Sequence, residues 1–239
     1  MNKSQSIIVI LPAHNEEQNI REVIKGIKET LPSAQILVVN DASTDNTPKC
    51  SHDAGARVIS LPFNLGYGAA LQTGYKFALE EGYEYVIQLD ADGQHNPKDI
   101  LKILEPVLNG NADIVIGSRF LEKGNYQTSL ARKLGISFFG AIASLFAGQR
   151  ITDPTSGFQA LNRKVIEFFS SDRYPVDFPD ADVLIMLHKA GFKIAEVSVR
   201  MNPSFSKKSM HSGLKPVYYI FKMLLSIFVT LLRKDLKEQ

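Results

Sequence analysis

The sequence holds a single cysteine, Cys50, among 239 residues. That excludes an intrachain disulfide framework and any cysteine-rich metal site, and makes a reduced, cytosolic setting the expectation. Neither sign of charge is in excess. The 27 Lys and Arg against 25 Asp and Glu leave a net charge of +2, which gives no electrostatic reason to expect nucleic acid as a partner. There is no internal repeat and no low-complexity segment. Long apolar runs are missing too. The first stretch, "MNKSQSIIVILPAHNEE", is apolar only briefly before Pro12. It is too short for a signal-peptide core, has no small-residue cleavage site, and reads as a first strand. The C-terminal apolar stretch, Val217 to Leu232, falls short of the roughly 20 residues that span a bilayer as a helix. Lys207, Lys208 and Lys215 precede it, and Arg233, Lys234 and Lys237 follow. Three readings stand open: a helix on the core, a helix on a membrane surface or membrane partner, and a true span.

What the chain does have is alternation. Strand-like runs at Ile7–Leu11, Ile36–Asn40, Ala56–Leu61, Tyr85–Leu89 and Ile114–Ser118 are separated by helical periods at Glu17–Leu31, Asn46–Ala54, Ala69–Glu81 and Pro97–Leu108. This predicts βαβ units and an α/β fold with a mainly parallel central sheet. Asn15 and Thr44 are expected to cap two of the helices, and Pro97 to open another. Beyond Arg119, Ser129–Ala147 is apolar almost all round and must be covered by something. "DPTSGFQALNRKVIEFF" reads as a loop and then a core helix. Asp182–Ala190 reads as a helix ended by Gly191, and Lys193–Val199 as a final strand. The expected division is residues 1–202 as one catalytic unit, with 203–239 as a basic loop and an apolar helix.

In such sheets ligands bind outside the carboxyl ends of the strands. There the chain places "PAHNEE", "NDASTDN", "FNLGYGAA", "DADGQH" and "GSR" in turn. Any one is ordinary turn chemistry; five at one edge indicate a site. Asp90 and Asp92, one residue apart, cannot both be buried unpaired. Either they cap the turn and the next helix, or they share a hard divalent cation, with Gln94 offering an amide oxygen. Asp41 and Asp45 either accept hydrogen bonds from a nucleobase or ribose or bond locally within their turn. Asn15 and Glu16 either face the same ligand or start a helix, where an acid favours the dipole.

Six segments, "ILPAHNEEQNI", "VVNDASTDNT", "NLGYGAAL", "QLDADGQH", "GSR" and "DPTSGF", in this order and spacing, resemble glycosyltransferase family 2. More narrowly they are similar to its dolichyl-phosphate mannose synthases and bacterial polyprenyl-phosphate sugar transferases. The resemblance covers about residues 7–200 and implies the nucleotide-sugar-binding fold called GT-A. It implies that Pro12, Ala13, Glu16 and Asp41 line the nucleoside pocket, with Asn15, Asp45 and Gly68 in the same loops. It assigns Asp90, Asp92 and Gln94 to Mg2+ or Mn2+ on the donor diphosphate, and Arg119 to the phosphate region. Arg132 and Ser137 fall where polyprenyl-phosphate-using members meet the lipid phosphate at the membrane. Asp92, Arg119 and Asp182 are the catalytic candidates, Asp182 as an orienting group or base, or else as a helix cap. The loop "VRMNPSFSKKSMHSG" departs from the pattern: Arg200 comes early, the usual Gly is absent, and Ser209–Met210–His211 replaces a Ser-Lys pair. Lys207, Lys208 and His211 either close over the donor phosphates when the loop orders or form a solvated basic loop. The implied activity is metal-dependent, inverting transfer of a sugar to a polyprenyl or dolichyl phosphate, with mannose favoured and glucose or N-acetylglucosamine next. The implied setting is the cytoplasmic membrane face, reached peripherally through surface helices or a small membrane-protein partner, with homo-oligomerisation left open. The alternatives are a transferase for a glycan or protein hydroxyl using Asp182 as base, and a non-catalytic nucleotide-sugar-binding module.

Overall fold

Ile7–Ala13 has no polar face to turn to water, and it forms the fully buried strand β1 at the heart of the sheet. The computed structural model describes residues 6–122, 130–175, 179–202 and 215–233. β1 pairs in parallel with β2 (Gln35–Asn40) on one side and β4 (Tyr85–Gln88) on the other, Val9 lying opposite both Ile36 and Ile87. β3 (Arg57–Ser60) continues beyond β2. Past β4 come β6 (Gln159–Asn162), β5 (Ile114–Ser118) and β7 (Ile194–Ser198), giving the order β3-β2-β1-β4-β6-β5-β7. β6 runs antiparallel to both of its neighbours, and the other pairings are parallel. β6 is absent from the sequence reading. "QALN" is too short to show alternation, and it is squeezed between a polar loop and α6 (Arg163–Ser170).

Helices cover both faces. α1 (Ile20–Thr30) and α4 (Ile100–Leu108) pack on one side; α1 buries Ile20, Val23, Ile24 and Ile27, the stripe its 3.6-residue period dictates. α3 (Tyr67–Glu80), α6 and α7 (Ala181–Lys189) pack on the other. α2 (Thr47–Asp53) lies against β2 and β3. α7 ends as expected, with Gly191 at φ +84°. The expected caps at Asn15 and Thr44 are corrected: the helices begin later, after Asn19 and Asn46, and neither of those side chains caps.

α5 (Leu130–Ala147) and α8 (Lys215–Leu232) pack on α7. α5 buries Ile136, Phe139, Ala143 and Ala147, while Leu134, Phe138 and Leu145 remain exposed. α8 sends Met223 and Ile227 into the same core. Its last carbonyls, those of Thr230 and Leu231, and the Arg233 carbonyl just past its end accept hydrogen bonds from Lys189 Nζ at 3.0, 3.1 and 2.7 Å, which satisfies acceptors that a helix end leaves orphaned. The opposite face of α8, with Phe221, Leu224, Leu225, Phe228, Val229 and Leu232, is exposed. So one face of α8 joins the core, and the other is apolar and not covered by the described residues. Among the described residues, no helix is long and apolar enough to cross a membrane.

The chain steps from β1 out to β2 and β3, then returns to place β4 on the other flank of β1. That reversal makes β1/β4 the topological switch point, where an open sheet leaves a crevice at its carboxyl edge.

Candidate active site

At that crevice the loop after β4 carries Asp90, Asp92, Gln94 and His95. Gly93, at φ +77°, supplies the left-handed residue that turns the chain back. The two carboxylates are not equivalent. Asp90 Oδ1 accepts from the Tyr67 hydroxyl at 2.8 Å, and Oδ2 lies 3.1 Å from His95 Nε2. Burial pushes the Asp90 pKa up, but His95, Tyr67 and the charge of Arg119 together hold it below the usual carboxylate value. Asp92 Oδ1 accepts the Gln94 backbone N–H at 2.9 Å, and Gln94 Nε2 bonds Oδ2. Burial and the neighbouring Asp90 push the Asp92 pKa up. Glu16, across the cleft on the loop after β1, is raised as well, by burial first and then by Asp92, Asp45 and Asp90.

Three carboxylates thus repel one another at one corner, and two of them hold their protons more tightly than usual. A hard divalent cation relieves that repulsion, and the oxygen donors of Asp90 and Asp92 suit Mg2+ or Mn2+. Gln94 now turns its amide nitrogen to Asp92, so it must rotate to offer oxygen. Among the described residues, no group of three His, Cys, Asp or Glu forms a complete metal cage; two carboxylates and an amide match an ion that takes other ligands from a bound diphosphate and water.

The remaining expected residues fall as follows. Pro12 and Ala13 are buried in the last residues of β1, opposite Val39 and Asn40. Asn15, at φ +59°, ties two loops together: its N–H donates to Ser43 Oγ at 3.0 Å and its Oδ1 accepts from the Thr44 N–H at 2.8 Å. Asp41 is buried and accepts the N–H groups of Leu65 and Gly66 at 2.7 and 3.0 Å. It therefore fixes the turn into α3, whose first turn contains the buried Gly68. Asp45 accepts the Thr47 N–H within its own turn and the Glu17 N–H from the loop after β1. Ala42, at φ +52°, stores strain beside Asp41.

Arg119 is less available to phosphate than expected. Its guanidinium is buried and bonded to both oxygens of Asp153, each at 2.6 Å, and to Thr155 Oγ1 at 2.7 Å. Glu196 of β7 accepts the N–H groups of Thr152 and Asp153, and so holds that loop. Arg119 is a strut under the site whose charge reaches Asp90. Arg200 is exposed, and its N–H donates to buried Asp99 at 2.8 Å. Asn202 continues the seam, bonding Gln94 O and Gly93 O. The chain that leads into residues 203–214 is thereby stitched to the acidic hairpin. Ser137 is exposed on α5. Lys207, Lys208, His211 and the Arg132 side chain lie outside the described residues.

Asp182 lies at a helix start and is closed to solvent. It is fully buried in the first turn of α7, where it accepts the N–H groups of Asp180 and Val183 at 3.1 and 2.9 Å and the Ser226 hydroxyl of α8. Burial pushes its pKa up. Among the described residues its carboxylate is closed to solvent and fastens α8 to α7. Asp182→Asn keeps the shape and removes a buried charge, so turnover should stay within about threefold of wild type, against the losses of about 10²-fold or more that follow loss of a general base. A steady-state comparison of the two proteins checks this.

Tyr67, His95, Gln88 and Gly157 are site residues that the sequence reading quoted within motifs without assigning. A Cβ on Gly157 would lie 2.5 Å from the Tyr67 hydroxyl and 2.7 Å from Asp90 Oδ1. The glycine of "DPTSGF" is therefore what lets Tyr67 reach Asp90. The signal for the others was Gln88 itself, an amide on a central strand that had to find a buried partner.

A mostly parallel sheet with an acidic hairpin at its switch point is the frame of a nucleotide-sugar transferase, and residues 8–169 match glycosyl transferase family 2. The chain belongs to that family and is a glycosyltransferase of its polyprenyl-phosphate sugar transferase branch. It is 35% identical to an uncharacterized protein of Methanocaldococcus jannaschii over 89% of this chain and 87% of that one. It is 29% identical to a UDP-N-acetylglucosamine–dolichyl-phosphate N-acetylglucosaminyltransferase of Methanococcus voltae over 81% and 84%. It is 32% identical to a polyprenol monophosphomannose synthase of Mycolicibacterium smegmatis over 69% and 64%. In three dimensions it superposes on the glucosyl-3-phosphoglycerate synthase of Mycobacterium tuberculosis, solved with Mn2+ and UDP-glucose, at a TM-score of 0.65 and 24% identity over 94% and 79% of the chains. That likeness establishes the GT-A fold.

Proposed function

We propose that this chain transfers a sugar from a nucleotide sugar to a polyprenyl or dolichyl phosphate, with inversion and with Mg2+ or Mn2+ at Asp90, Asp92 and Gln94. The observation that carries the proposal is the cluster of Asp90, Asp92 and Glu16 at the β1/β4 crevice, three carboxylates whose repulsion a donor-bound cation relieves. When bound, that cation neutralises charge developing on the leaving diphosphate. The residues do the rest. Asp90 and Asp92 are held by Tyr67, His95 and Gln94, and the loop fixed by Asp41 frames the nucleoside side. A phosphate acceptor is already anionic at neutral pH, so it needs no base. The burial of Asp182, the base considered for a hydroxyl acceptor, supports this reading.

The exposed apolar faces of α5 and α8 serve, in this reading, to seat the enzyme peripherally on the cytoplasmic membrane face, where the acceptor lies. Purified protein, Mn2+, radiolabelled GDP-mannose, UDP-glucose or UDP-N-acetylglucosamine and a short polyprenyl phosphate should give lipid-extractable label with one donor. No such label with any of them overturns the acceptor assignment. Burial of one Phe or Leu side chain is worth about 1.5–3 kcal/mol, roughly tenfold or more in partitioning. Phe228→Glu with Leu225→Glu should therefore move the protein out of floating anionic liposomes at unchanged Tm. Unaltered flotation refutes the role of α8.

A further inference from the structure

Buried amides on a central strand are costly unless every bond is met. Gln88, buried on β4 two residues before Asp90, meets its bonds in one direction. The Tyr75 hydroxyl donates to Gln88 Oε1, and Gln88 Nε2 donates to the Tyr67 hydroxyl at 3.1 Å. The Tyr67 hydroxyl in turn donates to Asp90 Oδ1 at 2.8 Å. Three successive donors thus point toward one carboxylate, and each polarises the next. On the other oxygen, His95 Nε2 lies at 3.1 Å, and His95 rests against Phe158 with ring centroids 5.1 Å apart. His95 Nδ1 is buried without a hydrogen-bond partner among the described residues. A lone pair is tolerated there more readily than an N–H, and the geometry suits Nε2 as the donor to Asp90. One donor on each oxygen fixes the plane of the carboxylate and leaves the remaining lone pairs for the cleft.

We infer that Tyr67, backed by Gln88 and Tyr75, is a positioning residue that aims Asp90 at the divalent cation. The inference rests on the reading of Asp90 as a metal ligand. Gly157, with no side chain, admits the tyrosine hydroxyl. A purely structural need would be met as well by apolar side chains in place of the tyrosine–glutamine pair, since replacing both partners of a buried hydrogen bond is nearly neutral. What apolar side chains cannot supply is a donor on Asp90. Partners of ligating carboxylates typically change metal affinity by about 10–100-fold when removed.

The test is Mn2+ binding to the full chain, followed by electron paramagnetic resonance of the free ion, beside Tm. Tyr67→Phe should raise the Mn2+ Kd about 10–100-fold and lower Tm by a few degrees, because buried Gln88 Nε2 loses its acceptor. Gln88→Leu, which leaves the Tyr67–Asp90 contact in place, should raise it less. Asp90→Asn separates the two layers of the argument. If Asp90→Asn weakens Mn2+ and Tyr67→Phe does not, the positioning role is overturned and the metal site stands. If Asp90→Asn binds Mn2+ as wild type does, the metal reading itself falls. Because Tyr67→Phe also lowers Tm, Gln88→Leu decides: an unchanged Kd in that variant overturns the relay.

Discussion

Asp92→Asn should fold better and catalyse almost nothing. Burial and the neighbouring Asp90 raise the Asp92 pKa, so its charged form is costly in the folded chain. The sign follows from linkage. The folded state binds this proton more tightly than the unfolded state does. Ionisation therefore costs stability progressively as pH rises from the ordinary carboxylate range, near about 4, through the raised folded value. Above that value the penalty is present in full. Asn removes the charge and keeps an oxygen for the Gln94 N–H. For a half-buried group the gain is about 1 kcal/mol or less, roughly 2–4 °C in Tm for a chain of this size. It should be larger at pH 7 than at about pH 3, below the ordinary carboxylate range, where Asp92 is protonated in both the folded and the unfolded chain. Turnover should fall by about 10²–10³-fold, because charge stabilisation by one well-placed electrostatic group contributes about 3–4 kcal/mol. Wild type should gain Tm with Mn2+ and a bound donor, by mass action, and Asp92→Asn should gain little. Calorimetry at the two pH values and a Mn2+ titration of turnover check all three. Full metal-dependent turnover in Asp92→Asn would falsify the metal role. Function at this corner is bought with stability, and the variant exposes the exchange.

Periodicity carried the fold further than it carried the site. β5 was legible residue for residue and β1 nearly so, because buried parallel strands are uniform apolar runs bounded by turns. The polar clusters at the carboxyl edge were legible for the same reason: the pattern breaks there. β6 was not, since four residues carry no period. Arg119 was legible as a basic residue at the right edge, but its bond to Asp153 joins residues 34 apart, and no local pattern encodes it. Asp182 shows the same limit. Its position at the start of α7 was correct, and either role suits such a position. Only the arrival of α8, with Ser226 against its carboxylate, decides for burial. Tyr67 was hidden in a segment whose glycines drew the eye, and its partner Asp90 is 23 residues away. What the sequence withheld was pairing between segments, which side-chain chemistry limits without determining.

Gly157→Ala puts such a pairing to the test. The methyl carbon would sit 2.5 Å from the Tyr67 hydroxyl and 2.7 and 2.9 Å from the two oxygens of Asp90. Real contacts are longer than this, so something must move. The tyrosine is a stiff ring with its hydroxyl already bonded to Gln88 and Asp90. The glycine is held too, between Ser156, whose hydroxyl donates to Gly117 O at 2.6 Å, and the buried Phe158. Overpacking of this kind costs about 1–3 kcal/mol, so Tm should drop by several degrees. The larger effect falls on catalysis. A shift of Asp90 by about 1 Å displaces the ligand geometry, and displacements of that size cost about 10²-fold in rate. Tyr67→Phe in the same chain separates the two consequences. It deletes the atom with the shortest contact, so the double variant should regain part of the lost Tm, a coupling that a thermodynamic cycle measures. It also deletes the donor to Asp90, so activity should not return with stability. Strictly additive Tm changes would show that the methyl group and the hydroxyl never meet, and that Gly157 has some other reason to lack a side chain.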